Sequence, residues 1–373
     1  MARTAARTLE PGQRARHVNA PFTVSQDSLL AYANDRIKAA SEFPKANLIR
    51  RELRLAGLDM AVWFTSEPLA DLCDALLVRH EGWGPFEQAA EIFLLDAESE
   101  GWEPPAVWDG EAGFSSHEFE RILAAGNRRG FYHHDAPSWQ FYDTVAGLGV
   151  HTLPGPLAIP PWEHGSPLRL FVHWCQAAAG RRLTHAAALG VNGIGALIVG
   201  ASGSGKSGTT LAGLMNGLDS VGDDYVVVEH DPCVVAHAVF KVFKQDPDGL
   251  RRVGLNEADL PGAKTNWSGK IEFDAASLAP DAFTNRMEIR ALLLPRITRA
   301  KRTSIEPVTS HDAALALAPS AVLQLPGDAT EGFRFFASLA KRLPAFRVNL
   351  SQDAAEIADS IRSFLATGAG HSG

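Results

Sequence analysis

"GALIVGASGSGKSGTTLAGLMNGLDSVGDDYVVVEH", Gly195–His230, decides how the chain is read. Its first five residues form a continuous apolar run of strand length. "GASGSGKS" (Gly200–Ser207) follows and matches the phosphate-loop pattern G-x-x-x-x-G-K-[ST] at every fixed position. Glycines there allow positive φ, so successive backbone N–H groups can turn inward around phosphate oxygens. The predicted nucleotide-binding set is Gly200, Ser202, Gly203, Ser204, Gly205, Lys206, Ser207 and Gly208. Lys206 supplies a point charge for the β- and γ-phosphates, and the Ser207 hydroxyl a ligand for Mg²⁺. A helix over Gly208–Gly217 adds its N-terminal dipole, and Val226–Val228 reads as a second buried strand. Strand, glycine loop, helix, strand is the order of a phosphate-binding α/β unit.

Asp223 and Asp224 stand at the mouth of that second strand. Ionised acids at the edge of a buried strand cost free energy unless a cation or hydrogen-bond donor receives them. Taken alone, the pair reads as a turn. Its place 17 residues after Lys206 changes the reading, because the intervening helix returns the chain to the phosphates. Phosphoryl transfer uses one carboxylate to hold Mg²⁺ or its waters and another to receive the nucleophile's proton. Adjacent residues entering a strand point to opposite sides, which divides those tasks between them.

Outside this stretch the chain is ordinary. Of its 373 residues, 46% are hydrophobic and 21% charged, and the net charge of −8 argues against a general nucleic-acid binder. No run of eighteen apolar residues occurs, so no membrane span is expected. Residues 1–20, with Arg3, Arg7, Arg14 and Arg16, lack an apolar segment and read as a flexible arm rather than a secretory signal. Cys73, Cys175 and Cys233 lack metal or disulfide spacing, which suits a reducing cytoplasm.

A Pro-rich stretch, Leu153–Pro167, divides the chain, and limited proteolysis should cut there if it is exposed. Residues 21–160 read as a mixed α+β module with a recognition role: "SLLAYANDRIKAASEF" is helical, "DMAVWF" and "EIFLLD" are strands, and "GFYHH" can pair with "WQFYDTV". Residues 166–373 read as the ATP-binding catalytic domain, closed by the amphipathic helix "AAEIADSIRSFLA". The fold class expected is therefore α/β, a phosphate-loop domain preceded by a smaller α+β domain.

Over Arg169–Ala300 the sequence resembles the HPr kinase/phosphorylase family, whose ATP-binding domain is related to that of phosphoenolpyruvate carboxykinase. "HAAALGVNGIGALIVGASGSGKS", "SVGDDYVVVE" and "RMEIRALLLP" (Arg286–Pro295) carry the resemblance. It implies that His185 lies near the substrate hydroxyl or phosphate. It also implies that Asp223 is the general base, Asp224 a metal or water partner, Glu288 a further acid on the metal or on a residue that holds it, and Arg290 a charge-neutralising or structural residue. The chain departs from the family at Gly208, where the family has an acid, and at Ala291, where it has glycine. The N-terminal module does not resemble that of the HPr enzymes. The chain looks more like the HPr-kinase-related kinases of biosynthetic clusters, including those that phosphorylate a serine of a lasso peptide.

The function expected is an ATP- and Mg²⁺-dependent kinase acting on a hydroxyl, a peptide or protein serine before a small-molecule or carbohydrate alcohol. A homo-oligomer is compatible with this reading. Two alternatives from other classes are a motor or switch NTPase and a nucleotide-binding regulator without turnover. The sequence lacks N-K-x-D, L-S-G-G-Q and an apolar run ending in Asp-Glu, which disfavours the first. Lys241, Lys244, Lys264 and Lys270 lie in a polar stretch able to cover a nucleotide, though each singly reads as a surface lysine. Arg296, Arg299, Lys301 and Arg302 form a basic run able to meet a substrate phosphate. "YHHD" (Tyr132–Asp135) places its histidines on opposite strand faces and so makes no shared metal site.

Overall fold

The computed structural model describes residues 23–80, 84–99, 101–109, 116–322, 325–327 and 329–367. The basic arm 1–20 lies outside them. The architecture is mixed α/β, with ten helices and several sheets among the described residues.

The N-terminal part is a six-stranded sheet in the order Ile49–Leu55, Leu58–Phe64, Gln88–Asp96, Leu148–Leu153, Ser138–Asp143, Arg128–His133. The predicted "GFYHH"/"WQFYDTV" pairing is present, with Arg128 opposite Asp143 and His133 opposite Ser138. Helix Leu29–Glu42 buries Leu29, Tyr32, Ala33, Ile37 and Ala40, a spacing set by 3.6 residues per turn. Tyr32 meets the fully buried Trp139 edge-on, ring centroids 5.5 Å apart.

The second large sheet has nine strands. Its main path runs Asp219–Gly222, Ala187–Val191, Ile194–Ile198, Arg286–Ala300, Val235–His237, Val226–Glu229, Arg182–Thr184. Strand Ala345–Ser351 lies parallel to the far end of Arg286–Ala300. Strands Ala187–Val191 and Ile194–Ile198 form a hairpin. Its turn is Asn192 at φ 52° and Gly193 at φ 77°, the positive-φ pair that a two-residue hairpin loop requires.

Strands Asp219–Gly222 and Val226–Glu229 stand five places apart in this sheet, yet residues 223–225 alone join them. A flat sheet would separate them by ~24 Å, whereas this connection reaches only ~14 Å when extended. The sheet therefore curls until its two sides approach, and the connection crosses the gap.

The stretch Leu153–Pro167 is only partly exposed, at Pro154, Pro156, Leu157 and Pro161. Leu153, Gly155, Ile159, Pro160, Glu163 and Gly165–Pro167 are buried, and one hydrophobic cluster runs from Leu53 and Phe64 through Phe171 and Trp174 to Tyr225 and Val227. Backbone bonds reinforce it: the Val78 N–H donates to Val239 O at 2.8 Å and the Lys241 N–H to Leu76 O at 2.9 Å. Pro160 and Pro167 are buried with it, while Pro154, Pro156 and Pro161 stay exposed. Calorimetry should accordingly show one unfolding transition. Phe171→Ala should lower its stability by about 3–5 kcal/mol without splitting it; two resolved transitions would contradict the shared core.

Candidate functional site

The glycine loop leaves strand Ile194–Ile198 and ends in helix Lys206–Met215, as the sequence requires. Gly200, Gly203 and Gly205 all take positive φ. Gly205 is the most constrained, since at φ 107° a Cβ would also lie 2.8 Å from Leu350 Cδ1. Lys206 folds back over the loop and donates from Nζ to Gly200 O (2.7 Å) and Ala201 O (3.2 Å). Burial lowers its pKa, and the charges of Asp223 and Asp224 partly restore it. The Ser204 hydroxyl is buried without a partner.

The loop forms one wall of a cavity of ≈ 450 Å³. Asp224, His185, Lys244, Arg169, Lys270 and Trp267 line the rest of it, together with Ile297 beside Gly205. The structure brings Lys206, Ser207, Asp223, Asp224 and His185 together, as expected.

The two aspartates are disposed otherwise than alternation along a strand predicts. They lie between strands, and Asp224 has φ 69°, a left-handed conformation that Asp tolerates better than most residues. Its carboxylate therefore faces the cavity, with Lys244 Nζ 3.0 Å from Oδ2 and His185 Nε2 3.2 Å from Oδ1. Burial raises its pKa, but Lys244 and His185 more than offset this and hold it well below the usual carboxylate range. Asp223 is 1% exposed and absent from the cavity lining. Both its oxygens are buried without a well-aligned hydrogen-bond partner among the described residues. Burial and the Asp224 charge push its pKa up, and the Ser207 hydroxyl, the Asp224 amide and Lys206 only partly counter them.

Glu288 does not join this group. It pairs with Ile194, while Leu293 pairs with Ile198 next to the glycine loop. About 13 Å of strand, at ~3.3 Å per residue, separates those two levels. Glu288 is instead half-buried and accepts a hydrogen bond from Arg290 Nε at 3.0 Å. In the basic run, Arg296 is exposed, and neither it nor Lys301 nor Arg302 lines the cavity.

Among the cavity residues, Lys244 and Lys270 belong to the polar stretch expected to cover a nucleotide. Lys244, which reads singly as a surface lysine, lies on strand Val242–Gln245 of a three-stranded sheet. There Glu272, 2% exposed, stands 3.8 Å from Lys244 Nζ and accepts from Asn266 Nδ2 at 3.1 Å, which fixes the loop carrying Trp267 and Lys270. Arg169 and Tyr225 were missed; a fold-independent signal for them is absent, because only the tertiary structure carries them to the loop. His133 is buried at the end of strand Arg128–His133, whereas His134 lies beyond the strand in a turn and is exposed, and no cluster of three metal-ligating side chains occurs among the described residues. No described helix is long and apolar enough to cross a membrane.

No family model matches the chain, and no curated protein matches it. Among solved structures it is similar to the HPr(Ser) kinase/phosphatase from Coxiella burnetii. That alignment covers 46% of this chain and 85% of that chain at 14% identity with a TM-score of 0.24, a likeness too remote to assign a family.

Proposed function

We propose that the chain is an ATP- and Mg²⁺-dependent kinase that transfers the γ-phosphate to a hydroxyl, with a peptide or protein serine as the favoured acceptor. The observation that carries this reading is the cavity itself: a glycine loop with a buried lysine on one wall, and a lysine- and histidine-held carboxylate on the other.

The residues fit both cofactors. Loop N–H groups and Lys206 suit the phosphates of ATP. The orphaned Asp223 carboxylate, next to the Ser207 hydroxyl, suits a hard divalent cation better than it suits an empty protein interior. When bound, Mg²⁺ would neutralise charge on the phosphates. Asp223 and Ser207 would hold it. Lys206 would exchange its two loop carbonyls for phosphate oxygens. Asp224, on the open side, would accept the hydrogen bond of the acceptor hydroxyl and orient it in line. Its depressed pKa makes it a weak base, which is tolerable because phosphoryl transfer through a loose transition state depends chiefly on positioning and charge. His185 and Lys244 would fix its carboxylate. This reverses the roles that the family resemblance implies for the two aspartates, and it leaves Glu288 without a part.

Thermal unfolding tests the nucleotide half of the reading. Mg²⁺-ATP at a hundred times Kd should stabilise the chain by about 2.7 kcal/mol, a rise of a few degrees, with less stabilisation when Mg²⁺ is omitted. An unchanged melting curve at saturating Mg²⁺-ATP refutes it. Radiolabel transfer from [γ-³²P]ATP to added acceptors tests the rest: a rate of ATP hydrolysis that no acceptor alters would instead support an NTPase.

A further inference from the structure

The cavity wall opposite the glycine loop is built from Trp162, Ser166, Arg169, Tyr225 and Trp267, and the transfer chemistry above uses none of them. Arg169 opens the helix Arg169–Ala178 directly after Leu168, a buried leucine at φ 60°. A branched aliphatic residue holds that conformation only where its surroundings impose it. The Arg169 guanidinium donates from Nη1 to Tyr225 Oη at 2.9 Å and lies 5.4 Å from that ring's centroid. His185 is 5.6 Å from the same ring on a centroid basis, so Arg169 sits one side chain away from the Asp224–His185 pair. Asp224 acts electrostatically on both Arg169 and Lys206, which makes it the charge common to the two walls.

Arg169 has a carboxylate near it but beyond hydrogen-bond distance. Its nearest acid, Glu163, is 3.8 Å from Nη2 and also accepts from Gln140 Nε2 at 2.9 Å. Burial pushes the Glu163 pKa up, and Arg169 and Gln140 oppose this. The Ser166 hydroxyl, on a residue 2% exposed, is buried without a partner, as is Arg169 Nε. Above them Trp267 is 64% exposed, its ring 6.2 Å from that of Trp162 in an edge-on contact. A cation, an orphan hydroxyl and an open aromatic ring thus converge beside the carboxylate that faces the acceptor.

We propose, building on the kinase reading, that this wall is the acceptor subsite and selects a hydroxyl carried next to an oxyanion, either a carboxylate or a phosphate. Arg169 and Ser166 receive the oxyanion through charge-assisted hydrogen bonds. Trp162 and Trp267 cover the remainder of the acceptor.

The test uses the full chain preloaded with Mg²⁺ and a non-hydrolysable ATP analogue, so that the glycine loop is filled and does not itself capture anions. Two matched pairs are titrated by calorimetry: N-acetylserine against N-acetylserinamide, and glycerol 3-phosphate against glycerol. At least one anionic member should bind about tenfold or more tighter than its neutral partner, and which pair separates further identifies the oxyanion. Arg169→Met should bring the pairs together with analogue binding unchanged, Arg169→Lys should restore part of the gap, and Ser166→Ala should narrow it. Should Arg169→Met fail to fold, Ser166→Ala and the wild-type ratios still decide. Equal binding within both pairs overturns the proposal, as does a gap that survives Arg169→Met. Failure of the kinase reading looks different: the pairs separate, yet no acceptor ever takes phosphate from ATP.

Discussion

Asp224→Asn should slow phosphoryl transfer by about 10²–10⁴-fold while leaving Mg²⁺-ATP affinity nearly unchanged. The amide keeps the size of the side chain that Lys244 and His185 grip at 3.0 and 3.2 Å, but it loses the charge that orients the acceptor. The deficit should also be flat with pH across neutrality. The folded pKa of Asp224 is depressed, so the carboxylate stays ionised there. Its contribution to stability is present above the unfolded carboxylate's pKa of about 3.9 and fades only as pH falls below that value toward the folded one. Asp223→Asn should behave differently. It should raise the Mg²⁺ concentration needed for half-maximal rate, because the variant removes the proposed metal carboxylate. It should also raise the melting temperature of the nucleotide-free protein at pH 7–8. The sign follows from the raised folded pKa of Asp223. The folded state retains a proton that the unfolded state has lost, so stability falls as pH rises above about 4, and a neutral amide removes that loss. Rate, Mg²⁺ dependence and melting temperature of the two variants separate the assignments. If Asp223→Asn abolishes transfer at unchanged Mg²⁺ requirement while Asp224→Asn is nearly normal, Asp223 is the base and the roles proposed above are reversed.

Lys206→Met should eliminate the stabilisation by Mg²⁺-ATP and reduce turnover by about 10²–10³-fold, the usual loss on removing one preorganised donor from developing charge. Methionine retains most of the buried stem. The ammonium's burial penalty disappears, while Gly200 O and Ala201 O lose their donor at a cavity edge open to water. These effects oppose one another, so the melting temperature without nucleotide should change little. Differential scanning calorimetry with and without Mg²⁺-ATP reads both expectations, and retained stabilisation in the variant would remove the glycine loop from the nucleotide site.

The elements around Gly200–Ser207 were legible because their signals are local. An apolar run, glycines at the positions that need positive φ, and Asn192–Gly193 between two apolar strands each specify backbone geometry within a few residues. The orientation of Asp223 and Asp224 was not legible. Period-two alternation holds inside a strand, and these residues bridge two strands with Asp224 at φ 69°. Glu288, which only the resemblance put at the metal, lies on a strand of fifteen residues, Arg286–Ala300, and a matching segment does not say which end of so long a strand meets the site. Proline content at Leu153–Pro167 did not distinguish the exposed Pro154, Pro156 and Pro161 from the buried Pro160 and Pro167. Arg169 and Tyr225 reach the cavity only through tertiary packing, and nothing within their own sequence neighbourhoods anticipates it; for Lys244 the polar stretch was legible but not which of its lysines turns inward.

The crossing from Gly222 to Val226 has a mechanical consequence. Residues 223–225 act as a buckle of fixed length between two margins of one curled sheet. Any slip of one margin against the other is felt first by the two carboxylates, which have no slack to absorb it. The spacing constraint there is thus on the number of residues as much as on their identity. Lengthening the buckle by a single glycine would leave every acidic group in place yet free the sheet margins to separate, uncoupling the Asp224 side from the Asp223 side without deleting an atom of either.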